Sequence, residues 1–169
     1  MLEIYSNSRI YTIGHSTRSI DEFIEILKHF NINIVIDVRK IPESKKFPHF
    51  NKDFLKDRLK ENNIQYIHYP ELGGFRLEGY ENFSKSNEFK NAVDKLIKII
   101  KNKNTTILCA EIDYRRCHRF FISNALEQRG FEVIHIWNKE KIEKHDRNAK
   151  LTLFCDKKAK KLQNKNQII

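Results

Sequence analysis

Eleven consecutive positions hold a concentrated set of reactive side chains: Cys109, Glu111, Asp113, Arg115, Arg116, Cys117, His118 and Arg119. A carboxylate such as Glu111, set among cations, serves as a general acid or base, or as a nucleophile toward a sugar carbon. His118 can share that proton traffic. Arg119, with Arg39 from elsewhere in the chain, carries the planar fork that clamps phosphate or carboxylate. Cys117, flanked by Arg115, Arg116 and Arg119 where a helix begins, is set up as a partial thiolate. Cys109 ends a strand and is either a second reactive thiol or a buried structural one.

Two thiols and an imidazole also suit zinc or iron, which makes Cys109, Cys117 and His118 the ligand set if a metal is bound. Against this, neighbours on a helix project roughly 100° apart, so a helical Cys117 and His118 would not share one ion. No cofactor is assigned from the sequence. Cys109 and Arg115 also match the C-x5-R layout of protein tyrosine phosphatases. A phosphate cradle wants small residues and free N–H groups, however, and Glu111 and Asp113 would repel the phosphate.

The elements that must position these groups read clearly. Thr105-Thr106-Ile107-Leu108 is a β-branched run of the kind found in a buried strand. Phe121, Ile122, Ala125 and Leu126 share one face of a helix that Gly130 stops. Upstream, Arg9 to Gly14 reads as a first strand. A helix follows with a capping-box start at Ser19 and Glu22, and an apolar face of Ile20, Phe23, Ile24 and Leu27. Ile34 to Arg39 is apolar almost to its end, as in a central parallel strand.

Asn51 is expected to cap a short helix packed through Phe54, Leu55 and Leu59, and Gln65 to His68 to form a third strand. Pro70 to Ser86 shows no period and reads as a functional loop. Phe89, Val93, Leu96, Ile97 and Ile100 mark another helix, and Phe131 to Trp137 a fifth strand. Leu151 to Phe154 is a possible short edge strand, and Asp156 onward a basic helix or disorder.

Alternating strands and helices predict an α/β fold: a single-domain, mostly parallel open sheet of about five strands, with helices on both faces. In such a sheet every parallel strand's carboxyl end lies on one edge, where ligands bind. His15 and Ser16, Asp37 and Arg39, Ser44 in the following loop, Gly73 and Gly74, and Cys109 with Glu111 are therefore expected to converge there. This convergence makes His15, Ser16, Asp37, Arg39, Ser44, Gly73, Gly74 and Arg119 the substrate-binding candidates, and Cys109, Glu111, Cys117 and His118 the catalytic ones. His68 and His135 lie inside strands and read as core or edge histidines.

The 169 residues carry a net charge of +10, unevenly spread. From Lys139 to Ile169, ten Lys and Arg stand against four Asp and Glu. Residues 1–138 accordingly form the α/β domain with the motif pocket, and 139–169 a basic C-terminal extension, partly packed or disordered. Such a tail either contacts nucleic-acid phosphates or is simply a solvated Lys-rich end. No run of 18 apolar residues predicts a membrane span. A start without the layout of a signal peptide, and three cysteines better suited to free thiols or ligands, point to the cytoplasm.

Six ordered motifs carry a resemblance. They are Tyr11-Thr12-Ile13-Gly14-His15-Ser16; Ile36-Asp37-Val38-Arg39 with Pro42, Ser44, Pro48 and Phe50; Leu72-Gly73-Gly74; Leu108-Cys109-Ala110-Glu111; Cys117-His118-Arg119; and His135-Ile136. Together, from Ile10 to Trp137, they resemble the domain of unknown function 488 family. That resemblance implies an α/β fold whose motif residues line one pocket, and no particular reaction. The Asp37-Val38-Arg39 strand end also resembles rhodanese domains, which carry sulfur on a loop cysteine, although no glycine-rich turn follows Cys109.

The function expected is a small cytosolic enzyme with this Cys/Glu/His/Arg pocket, acting on an anionic substrate that is nucleotide-like or nucleic-acid-like. The rival is an accessory protein that binds nucleic acid or metal without catalysis, using the pocket arginines and the basic tail. Oligomeric state is not readable.

Overall fold

The computed structural model describes residues 8–151. The chain opens with β1 (Arg9–Gly14) and α1 (Ile20–His29). The Ser19 hydroxyl accepts the Glu22 N–H at the start of α1, while Asp21 and Glu22 in the first turn and Lys28 and His29 in the last complement the helix dipole. Next come β2 (Ile34–Asp37), α2 (Lys52–Glu61), β3 (Gln65–His68) and α3 (Tyr80–Ser84). The rest is α4 (Asn87–Ile100), β4 (Thr105–Cys109), α5 (Arg119–Glu127), β5 (Glu132–Ile136) and β6 (Ile142–Lys144). Single 3-10 turns lie at Pro48–Phe50, Pro70–Leu72 and Tyr114–Arg116.

The strands form one six-stranded sheet in the order β3-β2-β4-β1-β5-β6, parallel except for β6. Both faces are covered, which is why the central strands are apolar at nearly every position. Alternation divides them: Ile34 and Ile36 of β2 join the helices α3, α4 and α5, while Val35 joins α1 and α2. On β4, Ile107 and Leu108 part in the same way. The α/β sheet expected from the sequence is thus present, with six strands rather than about five.

The extra strand is β6. It pairs antiparallel with β5 through Ile134↔Lys144, His135↔Glu143 and Ile136↔Ile142, so the described part of the 139–169 segment continues the sheet. With only one side half-covered and Lys and Glu on it, β6 carried no apolar alternation to read. The edge strand expected at Leu151–Phe154 and the basic helix after Asp156 reach outside the described residues. No described helix is long and apolar enough to cross a membrane.

Three local expectations change. The stretch from Pro70 to Ser86 is not all loop, because α3 buries Tyr80 and Phe83 on α4 and α5. Asn51 occupies the helix-start position of α2 without capping it; its Oδ1 instead accepts the Ser44 N–H, tying down the loop before it. Phe54 is about half exposed (48%), and α2 packs through Leu55 and Leu59.

Register carries the strand ends to one line. Gly14 faces Cys109, and Asp37 faces Leu108 on one side and His68 on the other. The ladder runs on past the strands through His15 N–H to Cys109 O, Ser16 N–H to Ala110 O and Val38 N–H to Leu108 O. Gly14 is needed for the crossing above it. A Cβ there would stand 1.9 Å from the Glu111 carbonyl oxygen, and backbone cannot yield as a flexible side chain does. Gly14→Ala should therefore destabilise the protein by about 1–3 kcal/mol or more, read as a lowered urea midpoint. An unchanged midpoint would refute the close approach.

Candidate functional site

β4 delivers Cys109 at the sheet's carboxyl edge, and the chain then loops through the Tyr114–Arg116 turn to return Cys117 and His118 beside it. Cys109 Sγ lies 3.9 Å from His118 Nδ1, and Cys117 Sγ lies 3.7 Å from the same nitrogen. All three atoms fall within 4.8 Å of one another, and all three residues are buried. The objection that adjacent helical residues diverge does not apply. Cys117 has extended backbone (φ −138°, ψ 152°), and His118 only begins α5.

Burial pushes the Cys117 thiol up. The hydrogen bond with Cys109, the His118 imidazole and the Arg119 charge together outweigh it, and the thiol lies well below its ordinary range. The Arg119 N–H also donates to Cys117 Sγ over 3.5 Å. The His118 ring packs tilted against Tyr80, with centroids 5.2 Å apart. Gly74 comes up on its Nδ1 side, where a Cβ would stand 3.3 Å from Nδ1. Gly73 serves a loop crossing instead, since a Cβ there would stand 2.9 Å from Lys40 Cα and from the Pro70 carbonyl oxygen.

Beside the trio sits a second buried group. Asp37, wholly inaccessible, accepts from Arg39 Nε (2.9 Å), Arg39 Nη2 (2.6 Å), the Arg39 backbone N–H (3.1 Å) and the Tyr66 hydroxyl (2.7 Å). Arg39 Nη2 also donates to the Phe50 carbonyl. Burial works against the Arg39 charge, but Asp37 more than offsets it, and Cys109 is near enough to raise the pKa further. His15 stacks on Phe50 (4.4 Å between centroids) and gives its Nδ1–H to the Ser16 carbonyl. Burial and then the Arg39 charge lower its pKa to about 4, so at neutral pH it is uncharged, with the Nε2 lone pair left over.

The remaining motif residues are placed less directly. Arg119 turns inward: Nη1 donates to the Thr12 hydroxyl, and Nη2 to the carbonyls of Glu111 and Ile112. Glu111 is half-buried, and among the described residues its carboxylate makes no hydrogen bond or ion pair. Ser44 holds its own loop by accepting the Phe47 N–H, and Ser16 takes a positive φ of 48° with its carbonyl engaged by His15. Arg115 pairs with Asp113 and Glu143, which removes it from any phosphate cradle around Cys109.

A family model described as "Domain of unknown function DUF488" matches residues 19–78 and 76–126, well over half of the chain. The chain belongs to the DUF488 family. No curated protein and no solved structure is found to match it. Within this DUF488 chain the matched span takes in every member of the trio and both residues of the Asp37–Arg39 pair.

One constellation escaped the sequence reading. Thr12 Oγ1 meets His135 Nδ1 at 2.6 Å, His135 Nε2 meets His145 Nδ1 at 2.9 Å, and His145 Nε2 meets Asn124 Oδ1 at 2.8 Å. Tyr114 stacks flat on His135, 3.6 Å between centroids. His145 carried no signal because only β6 brings it back to β5. A cavity of about 910 Å³ also opens at the opposite, amino-terminal edge of the sheet, where its charged lining includes the Arg9–Glu132 and Arg147–Glu127 ion pairs. It is far from the sulfur chemistry, so the carboxyl edge is taken as the site.

Proposed function

We propose that this DUF488 protein is an enzyme whose reaction centre is Cys109, Cys117 and His118, acting on a small anionic substrate of nucleotide or nucleic-acid type. The observation that carries it is the meeting of two sulfurs and one imidazole nitrogen within 4.8 Å, buried, at the carboxyl edge of a parallel sheet. The depressed Cys117 thiol supports deprotonated sulfur, which both nucleophilic attack and metal ligation require. Glu111, two residues beyond Cys109 and with a carboxylate unengaged among the described residues, is the acid/base group.

The anion would not meet the arginines first expected to clamp it. Arg39 is engaged by Asp37 and Arg119 by backbone carbonyls and Thr12, so exposed Lys40, Lys45 and Lys46 on the loop after β2 are the cations offered. A net charge of +10 favours the same class of substrate.

The test is a turnover screen of full-length protein against nucleotides, nucleotide esters and short oligonucleotides. Cys117→Ser is expected to lower any turnover by on the order of 10³-fold or more, and Glu111→Gln by about 10²–10⁴-fold. Turnover that survives both substitutions would overturn the reading. The basic charge favours one rival, a binding module. In its place one would find no turnover, with salt-steep oligonucleotide binding that Glu111→Gln leaves intact and deletion of Lys157 to Ile169 abolishes.

A further inference from the structure

We propose that Cys109 Sγ, Cys117 Sγ and His118 Nδ1 bind one zinc ion and leave its fourth coordination position to water or substrate. The inference rests on the reading of this trio as the reaction centre and names what the two sulfurs do there.

The spacing fits. Tetrahedral zinc with bonds of about 2.3 Å to sulfur and about 2.0 Å to nitrogen puts S and N roughly 3.6 Å apart and two sulfurs roughly 3.8 Å apart. The two S···N separations are 3.7 and 3.9 Å, and no pair exceeds 4.8 Å. These atoms are also held in place. Cys109 is fixed by its register with Gly14 and by the His15 N–H on its carbonyl, Cys117 by its N–H to the Tyr114 carbonyl, and the imidazole by Tyr80. A donor set of two thiolates and one imidazole suits a borderline cation and gives magnesium or calcium nothing to hold.

Two further features point to a ligand rather than to mere packing. Gly74 has no positive φ, so its lack of a side chain answers a need for space, and that space lies 3.3 Å from Nδ1, the ligating nitrogen. The backbone N–H of Arg119 donates to Cys117 Sγ, an outer-sphere hydrogen bond of the kind that steadies a ligating thiolate. Three protein ligands among the described residues, with one position left over, is the arrangement of catalytic rather than structural zinc. At that position the ion would acidify a bound water or polarise a substrate oxygen.

Metal content of the full-length protein, purified without chelator, tests this. About one zinc per chain is expected, retained in Cys155→Ser and lost in Cys109→Ser and His118→Ala. Gly74→Ala should weaken binding by about 10-fold or more. Because the cysteine variants could fail to fold, chelator-stripped wild-type protein is also titrated with cobalt(II), and two thiolates should give an intense sulfur-to-metal charge-transfer band. Protein that is metal-free and takes up no cobalt overturns the proposal, as does metal retained by Cys109→Ser or bound without the sulfur band. Absence of metal with Cys117-dependent turnover intact removes the zinc and leaves the reaction centre standing. Turnover indifferent to Cys109 and Cys117 removes both.

Discussion

Arg39→Met should cost the fold about 3–5 kcal/mol, seen as a large drop in urea midpoint at neutral pH. Methionine fills most of the space but leaves the Asp37 carboxylate, wholly shut off from water, with only the Tyr66 hydroxyl and one backbone N–H. An unpaired buried charge is the expensive outcome, dearer than losing the pair outright. Asp37→Asn combined with Arg39→Met should therefore be more stable than Arg39→Met alone. Equal stability of the single and double variants would show that packing, not charge, sets the cost. The site should register the change too. Because the Arg39 charge helps hold His15 at about 4, Arg39→Met should let that imidazole titrate closer to its ordinary range, measurable by NMR.

The same pair shows what the sequence could and could not disclose. Asp37 and Arg39 were legible as polar residues ending a buried strand, and register does bring them to the edge where β4 ends. The sequence left open whether they satisfy each other, because i and i+2 groups on a strand end can equally reach outward to a ligand; the structure pairs them. Arg119 is a related case. A cation at a helix start is ordinarily solvated, yet here the loop from Glu111 to Ile112 folds over it and supplies carbonyl oxygens.

The helices with a 3.6-residue apolar period, α1, α4 and α5, were recovered, and α1 starts at the Ser19 cap read for it. α3 was not, since five residues are too few to show a period, and its burial comes from the neighbours Tyr80 and Phe83 find on α4 and α5. The Cys117–His118 geometry turned on one backbone fact. Extending the helix back through both residues would drive sulfur and imidazole apart. The 3-10 turn ending at Arg116 releases Cys117 into an extended conformation instead. A spacing rule taken from regular helices has no purchase on a residue in the joint between two of them.

Acid should unfold this protein early, with stability falling by about 4 kcal/mol between pH 7 and pH 5. The hydrogen-bond chain behind α5 explains half of it. Its direction is set at its ends, since Arg119 can only donate and Asn124 Oδ1 can only accept. Thr12 therefore donates to His135 Nδ1, His135 Nε2–H to His145 Nδ1, and His145 Nε2–H to Asn124. Both imidazoles are neutral and fully bonded in that arrangement. An added proton on His135 would face a hydroxyl that already accepts from a guanidinium. Burial first, and then the Arg119 charge, lower the His135 pKa to about 2, and burial leads the lowering of His15 to about 4.

An unfolded chain protonates both near pH 6.5, so the stabilisation is whole above that pH and drains away as acid favours the unfolded state. At pH 5 each histidine costs about 2 kcal/mol, and the share from His135 keeps growing below pH 4, where that of His15 levels off. Urea midpoints at pH 7 and pH 5 measure the sum. In His135→Gln, whatever its stability at pH 7, the loss on going to pH 5 should be halved. A wild-type protein equally stable at both pH values would mean that these imidazoles are not held neutral, and the chain from Arg119 to Asn124 would have to run otherwise.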